Sequence, residues 1–120
     1  MVIEQPIRVL IVDDSPRTRD GLRALFDTRP DIALVGEATN GQDALSQLEE
    51  LGPDVVVIDL EMPLMGGIEA TRLIKQRWPS VSVIVVTSSA EKRSAALAAG
   101  ADDFIMKGDA PGRLLTALVG

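Results

Sequence analysis

The chain of 120 residues contains no cysteine and no histidine, and it has few aromatic residues. It therefore cannot use thiol nucleophiles, zinc fingers, Ser-His-Asp triads, haem ligation by histidine or a histidine phosphorelay of its own. Two phenylalanines, one tryptophan and no tyrosine are too few to stack nucleic acid bases or to enclose a flavin ring. Any chemistry must rely on carboxylates, hydroxyls and cationic side chains.

Positive charge is also scarce, and no long apolar run is present. Twelve Lys and Arg against eighteen Asp and Glu give a net charge of −6, so the domain repels phosphate backbones and anionic lipids. The longest apolar runs, such as residues 81–86, are far shorter than a membrane span, and residues 1–6 lack the basic region of a signal peptide. We expect a cytoplasmic chain that binds neither nucleic acid nor membrane by itself.

The length and composition predict one globular domain that contains a parallel β-sheet. Hydrophobic residues make up 46% of the chain and charged residues 25%, which is an ordinary globular mixture. Short segments rich in Val, Ile and Leu recur, and their continuous apolarity is typical of strands that are covered on both faces. The predicted strands are residues 7–12, 32–36, 55–58, 81–86 and 103–106.

Helix signals follow each predicted strand. Ser15 and Pro16 are typical of a helix N-cap and first turn, and Ser88 with Glu91 forms the pattern of a capping box. The other predicted helices begin near residues 40, 68 and 109. Five strand-helix repeats predict a doubly wound α/β domain, a flavodoxin-like (βα)5 fold whose five-stranded parallel sheet has the order 2-1-3-4-5.

Polar side chains stand at the carboxyl ends of the predicted strands, where such sheets form their sites. Asp13 and Asp14 follow the first strand, Asp59 the third, Thr87 the fourth and Lys107 the fifth. Three close carboxylates repel one another unless they are protonated or bridged by a cation, and an all-oxygen site with room for water favours Mg²⁺. Each residue alone has an ordinary alternative, such as a carboxylate near a helix N-terminus or a threonine within a strand.

Together these groups are the parts needed to form and hydrolyse an aspartyl phosphate. The chain has no phosphate-binding loop, dinucleotide-binding loop or nucleophile elbow of known pattern. A signalling switch and a Mg²⁺-dependent phosphohydrolase both fit, but the D-x-D-x-[TV] pattern of the hydrolases is absent around Asp13, and no inserted cap could enclose a substrate. A third alternative is an interaction domain that kept the fold and lost the chemistry.

Several further motifs accompany the residues at the strand ends. The full set is residues 9–14, Asn40-Gly41, 54–59, Met62-Pro63-x-Met65-x-Gly67, Thr87, Gly100-Ala101 and Lys107. With this set the chain resembles a receiver domain of the two-component response regulators over essentially its whole length. Residues 35–38 and Gly108 after Lys107 are similar to the NarL/FixJ-type subfamily, whose receivers are usually joined to a C-terminal helix-turn-helix.

The resemblance implies a role for each residue at the strand ends. Asp59 would accept a phosphoryl group from a phosphohistidine on a sensor histidine kinase. Asp13, Asp14, Asp59 and the backbone carbonyl of Glu61 would hold Mg²⁺, and Lys107 would pair with the phosphoryl oxygens. The domain would then catalyse only its own phosphorylation and dephosphorylation.

The resemblance also implies a conformational switch. Thr87 would bond the phosphoryl group and draw the loop after the fourth strand inward, and Phe104 would rotate into the vacated space and change the partner-binding surface. An ordinary core aromatic is the alternative for Phe104. Glu61 and Ser89 occupy positions that tune the access of water in the family.

The expected domain organisation is one receiver domain over residues 1–120. No output domain lies within these residues, and the short fifth helix favours a receiver cut from a longer transcription regulator over one that acts alone. Pairing with a second copy on phosphorylation is left open by the sequence.

Overall fold

Five strands and five α-helices alternate along residues 5–119, which are the residues that this computed structural model describes. Residues 1–4, on which most of the signal-peptide argument rests, and Gly120 lie outside the described residues. The strands are β1 (Ile7–Val12), β2 (Ile32–Ala38), β3 (Val55–Ile58), β4 (Ser82–Thr87) and β5 (Asp103–Met106). The helices are α1 (Pro16–Asp27), α2 (Gly41–Leu51), α3 (Gly67–Arg77), α4 (Arg93–Ala98) and α5 (Pro111–Val119), with a 3-10 turn over Ala90–Lys92.

The strands form one parallel sheet in the order β2-β1-β3-β4-β5, which confirms the predicted topology. The order reverses between β1 and β3, and these two strands pair in register with Val12 opposite Ile58. The Asp59 amide then donates to the Val12 carbonyl at 2.9 Å. This pairing brings Asp13 and Asp59, the next residue of each strand, to the same edge of the sheet.

The side chains of β1 alternate between two apolar cores, one on each face of the sheet. Val9 and Ile11 lie in the core beneath α1 and α5, whereas Leu10 and Val12 lie in the core beneath α2, α3 and α4. All four side chains are fully buried. Burial on both faces explains the continuous apolar runs from which the parallel sheet was predicted. Among the described residues no helix is both long enough and apolar enough to span a membrane.

Two helix starts have the predicted local structure. The Ser15 hydroxyl accepts from the Thr18 amide at 3.2 Å and caps α1, and the Asn40 side chain accepts from the Asp43 amide at 2.8 Å and caps α2. Gly52, the C-cap residue of α2, has a φ of +57°. Only glycine adopts this left-handed conformation without a steric cost.

The predicted capping box of Ser88 and Glu91 is wrong. A 3-10 turn comes first, α4 begins only at Arg93, and neither start has a side-chain cap. Ser88 is exposed to solvent, and the neighbouring Ser89 hydroxyl donates to the Glu61 carboxylate at 2.9 Å instead. The side chains at this helix start therefore serve a contact with another loop.

The fifth helix also begins later than predicted, at Pro111 rather than Asp109. The Asp109 carboxylate accepts from the Met106 amide at 3.0 Å, and the Asp109 amide donates to the Met106 carbonyl at 2.9 Å. Asp109 thus closes a turn after β5, and the helix starts after it.

Gly67 lets α3 begin very close to the end of β3. Its amide donates to the Leu60 carbonyl at 3.1 Å, and a Cβ added at this position would lie 2.1 Å from the Asp59 carbonyl oxygen. A side chain of any size at position 67 must therefore displace the backbone that carries Asp59.

We predict that Gly67→Ala lowers the free energy of unfolding by about 2 to 3 kcal/mol, because overpacking against fixed backbone costs this much. Urea denaturation measures the change. Gly66→Ala is the matched control, since its added Cβ would approach nothing closer than the Leu60 carbonyl oxygen at 3.4 Å, and we expect a loss under about 1 kcal/mol. Equal losses in the two variants would show that the contact with Asp59 does not matter.

Candidate functional site

Three carboxylates meet where the order of the strands reverses. One oxygen from each of Asp13, Asp14 and Asp59 lies within 4.8 Å of the others. Asp13 and Asp59 are only 3% and 5% exposed, whereas Asp14 is open to solvent. The structure thus brings together the acidic residues that were predicted from the strand ends, two of them buried and one at the surface.

Lys107 bridges the two buried carboxylates. Its ammonium lies 3.0 Å from Asp13 Oδ2 and 3.2 Å from Asp59 Oδ2. The Lys107 amide donates to the Thr87 carbonyl at 2.9 Å, which fixes the start of the side chain directly beyond the paired ends of β4 and β5. The predicted approach of an ammonium to the acidic residues is therefore present in the structure.

Burial and charge act in opposite directions on this group of residues. Burial alone lowers the pKa of Lys107, but the hydrogen bonds and negative charges of Asp13 and Asp59 together outweigh it and raise the pKa. For Asp13, burial is the largest effect and raises the pKa of the carboxyl, although bonds from the Ser15 amide and Lys107 oppose it. Lys107 is therefore held firmly in its charged form.

Backbone amides orient the two buried carboxylates, and Arg19 holds the backbone of Asp13. Asp59 Oδ1 accepts from the Leu60 amide at 2.8 Å, and Asp13 Oδ1 accepts from the Ser15 amide at 2.9 Å. Arg19 donates to the Asp13 carbonyl oxygen at 2.8 Å and also lies 3.4 Å from the Glu37 carboxylate. Arg19 could not be predicted from the sequence, because its partners are the Asp13 backbone carbonyl and Glu37 on β2.

Thr87 is completely buried at the end of β4. Its Oγ1 accepts a hydrogen bond from the Ser89 amide at 3.2 Å. A hydroxyl that accepts this bond still carries its own hydrogen, which it can donate to an anion. The structure thus ties Thr87 to the first residues of the segment that leads to α4.

Glu61 lies on the exposed rim of the site, and its side chain contacts the segment after β4. Its Oε1 accepts from the Ser89 hydroxyl at 2.9 Å and from the Lys92 ammonium. The bond from Lys92, with a smaller effect of Ser89, lowers the pKa of Glu61. Coordination of a metal by the Glu61 backbone carbonyl stays a prediction.

Phe104 is 6% exposed and lies in the core that also contains Val85 and Ala96. The Arg93 guanidinium lies over its ring, 5.7 Å from the centroid. Phe104 thus lies in the core of the domain. Its rotation on activation stays a prediction.

The donor set of the acidic cluster fits Mg²⁺. All three side chains offer carboxylate oxygens, and Asp14 at the open side leaves space for the water ligands that Mg²⁺ keeps. Three carboxylates against the single ammonium of Lys107 also leave two negative charges in excess, which one divalent cation would balance. Asp13, Asp14 and Asp59 are therefore the residues that could hold it.

A family model described as the response regulator receiver domain matches residues 9–119. The chain therefore belongs to the response regulator receiver domain family. The nitrate/nitrite response regulator protein NarL of Escherichia coli strain K12 is 37% identical over 117 residues, which are 96% of this chain and 54% of NarL. The chain thus spans about half the length of this curated relative.

Two solved structures of response regulators have a fold similar to that of this chain. A two-component response regulator of the LuxR family from Aurantimonas sp. SI85-9A1 is 36% identical, with a TM-score of 0.88 over 94% of this chain and 82% of that one. RcsB from Salmonella enterica serovar Typhimurium, solved bound to promoter rprA with the phosphomimetic BeF3−, is 30% identical. Its TM-score is 0.88, over 97% of this chain and 68% of that one. The predicted family and fold are confirmed.

We predict that Mg²⁺ raises the thermal unfolding midpoint by several degrees. A ligand at 100 times its dissociation constant adds about 2.7 kcal/mol to the folded state, and in a domain of this size each kcal/mol shifts the midpoint by about 4 °C. Asp14→Asn, at the exposed position of the cluster, should remove most of the shift. Differential scanning calorimetry measures it.

Asp27→Asn is the control, because Asp27 is an exposed carboxylate at the far end of α1. A response of Asp14→Asn to Mg²⁺ equal to that of the wild type would show that Asp14 does not bind the ion.

Proposed function

We propose that this chain is a phosphorylation-dependent switch of a two-component system, in which Asp59 accepts a phosphoryl group from a phosphohistidine of a sensor histidine kinase. The observation that supports this most is the pairing of buried Asp59 with Lys107 at 3.2 Å, beside two further carboxylates. A buried nucleophile next to fixed positive charge is what phosphoryl transfer requires, because charge must be balanced on the transferred oxygens.

The transfer is a displacement at phosphorus. A carboxylate oxygen of Asp59 forms a new bond to phosphorus as the bond from phosphorus to the histidine nitrogen breaks, and the imidazole leaves. Lys107 pairs with a phosphoryl oxygen and stays protonated. Mg²⁺, held by Asp13, Asp14, Asp59 and the Glu61 carbonyl, would supply the remaining positive charge. Attack by water on the phosphorus later releases inorganic phosphate and restores the Asp59 carboxylate.

Thr87 couples the phosphorylation of Asp59 to a movement of the segment before α4. Its hydroxyl donates to a phosphoryl oxygen, and because Thr87 Oγ1 is bonded to the Ser89 amide, the segment before α4 moves with it. Phe104, packed in the same core as Ala96 of α4, then changes its position. The surface of α4, β5 and α5 is altered, which shifts the affinity for a partner.

The output is proposed to be transcription control through a C-terminal DNA-binding domain. The support is that the chain spans about half of NarL, and that RcsB has been solved bound to promoter DNA. Within the receiver itself the net charge of −6 disfavours contact with DNA. The partners proposed for this domain are therefore a sensor kinase and a second copy of the chain, and the alternative output is a receiver that acts alone through protein contacts.

We predict that the chain, incubated with Mg²⁺ and acetyl phosphate, gains a single phosphoryl group, which intact mass spectrometry measures. Asp59→Asn and added chelator should abolish the adduct, because one removes the nucleophile and the other the cation. Lys107→Met should slow its formation at least about tenfold, the effect of losing one charged bond of about 1.5 kcal/mol.

Asp54→Asn is the matched control for Asp59→Asn. Asp54 precedes the same strand at its other end, where its carboxylate accepts from the Arg8 amide at 2.9 Å, and this variant should gain the adduct normally. An adduct that persists in Asp59→Asn would refute the assignment of the acceptor. Many turnovers of a chromogenic phosphate ester per chain would instead support the phosphohydrolase alternative.

A further inference from the structure

A bridge of three side chains joins the two loops that flank the acceptor. Glu61, in the loop after β3, accepts on one carboxylate oxygen from both the Ser89 hydroxyl and the Lys92 ammonium, which belong to the segment after β4. We call these three residues the Glu61 bridge. Lys92 is not one of the strand-end residues Asp13, Asp14, Asp59, Thr87 and Lys107 that form the proposed site.

The Glu61 bridge is connected to the acceptor site on both sides. Glu61 lies two residues after Asp59, and the Ser89 amide donates to Thr87 Oγ1 at 3.2 Å. The bond to Glu61 is the main cause that raises the pKa of Lys92, and the negative charge of Asp59 adds a small contribution in the same direction. The Lys92 ammonium is thus a cation at the rim of the site, where the Glu61 carboxylate holds it.

Lys92 and Glu61 can separate and bind other groups without a change in the fold. The side chains of Lys92 and Glu61 are 37% and 55% exposed, so rotation about side-chain bonds suffices to separate them. An exposed ion pair contributes less than about 1 kcal/mol. A phosphoryl group carries more negative charge than a carboxylate and offers three acceptor oxygens, so it competes well for the ammonium.

We propose that Lys92 is a positioning residue for phosphoryl transfer to Asp59, and that Glu61 restrains it until a phosphoryl group arrives. This inference rests on the proposed function. Glu61 repels an anionic donor and occupies the Lys92 ammonium, whereas free Lys92 attracts the donor and draws the segment before α4 toward the phosphoryl group. The two members of one ion pair therefore act on the reaction in opposite directions.

The test compares the rates at which Glu61→Gln, Lys92→Met and the double variant react with acetyl phosphate and saturating Mg²⁺. In each, an Asp59 oxygen bonds to phosphorus and acetate leaves. We expect Glu61→Gln to react about three- to tenfold faster than the wild type and Lys92→Met slower by a similar factor, as one unit charge near a surface site would produce. The double variant should return close to the wild-type rate.

Ionic strength provides a second readout, because a purely structural role would not depend on it. The difference between the two single variants should shrink severalfold between low salt and about 0.5 M KCl, where exposed charges are screened. Glu49→Gln and Arg77→Met are the matched controls. They break another exposed ion pair, with 3.4 Å between its charged atoms, that joins α2 to α3, and they should leave the rate unchanged.

Rates that change in the same direction in both single variants, or a difference that does not respond to salt, would overturn the proposal. If the wild type gains no phosphoryl group, the proposed function fails, and the bridge is tested by the thermal shift with beryllofluoride and Mg²⁺. Then a shift larger than that of the wild type in Glu61→Gln and smaller in Lys92→Met supports the bridge. Equal shifts in the two variants refute it.

Discussion

The arrangement of the candidate site depends on two negatively charged carboxylates that are buried side by side. Asp13 and Asp59 follow neighbouring strands that pair in register, so neither carboxylate can move away from the other without a change in the sheet. Like charges in a poorly solvated place destabilise the fold. The Lys107 ammonium and the amides of Leu60 and Ser15 offset this cost in part. Such a site favours the binding of cations. The rigid apolar sheet keeps the two carboxylates at their close separation.

The fold and the acidic cluster were predictable because their signals are local. Strands covered on both faces are apolar without interruption, and the ends of neighbouring parallel strands must meet at one edge. Asp13, Asp59 and Lys107 could therefore be placed together from the residues that follow the strands. Arg19 and Lys92 could not, because each bonds to a partner on a different element, and no spacing in the sequence marks such a contact.

The error at α4 has a physical cause of the same kind. Ser88 and Glu91 have the spacing of a capping box, but a cap forms only if the local bond is better than the alternatives. Here the loop after β3 presents the Glu61 carboxylate to the same segment, and the hydroxyl of Ser89 and the ammonium of Lys92 bond to it. This contact between two loops therefore forms in place of the predicted capping box.

In the proposed switch, the absence of a side-chain cap at the start of α4 makes the segment before this helix easier to move. A side-chain cap stabilises a helix start by about 1 kcal/mol, and neither the 3-10 turn nor α4 has one, whereas α1 and α2 both do. The segment before α4 bonds instead to Glu61 and Thr87, which lie near the proposed acceptor Asp59. In the proposed switch, a phosphoryl group on Asp59 would act on those bonds. The segment that moves in this switch therefore has no side-chain cap at the start of its 3-10 turn or of α4.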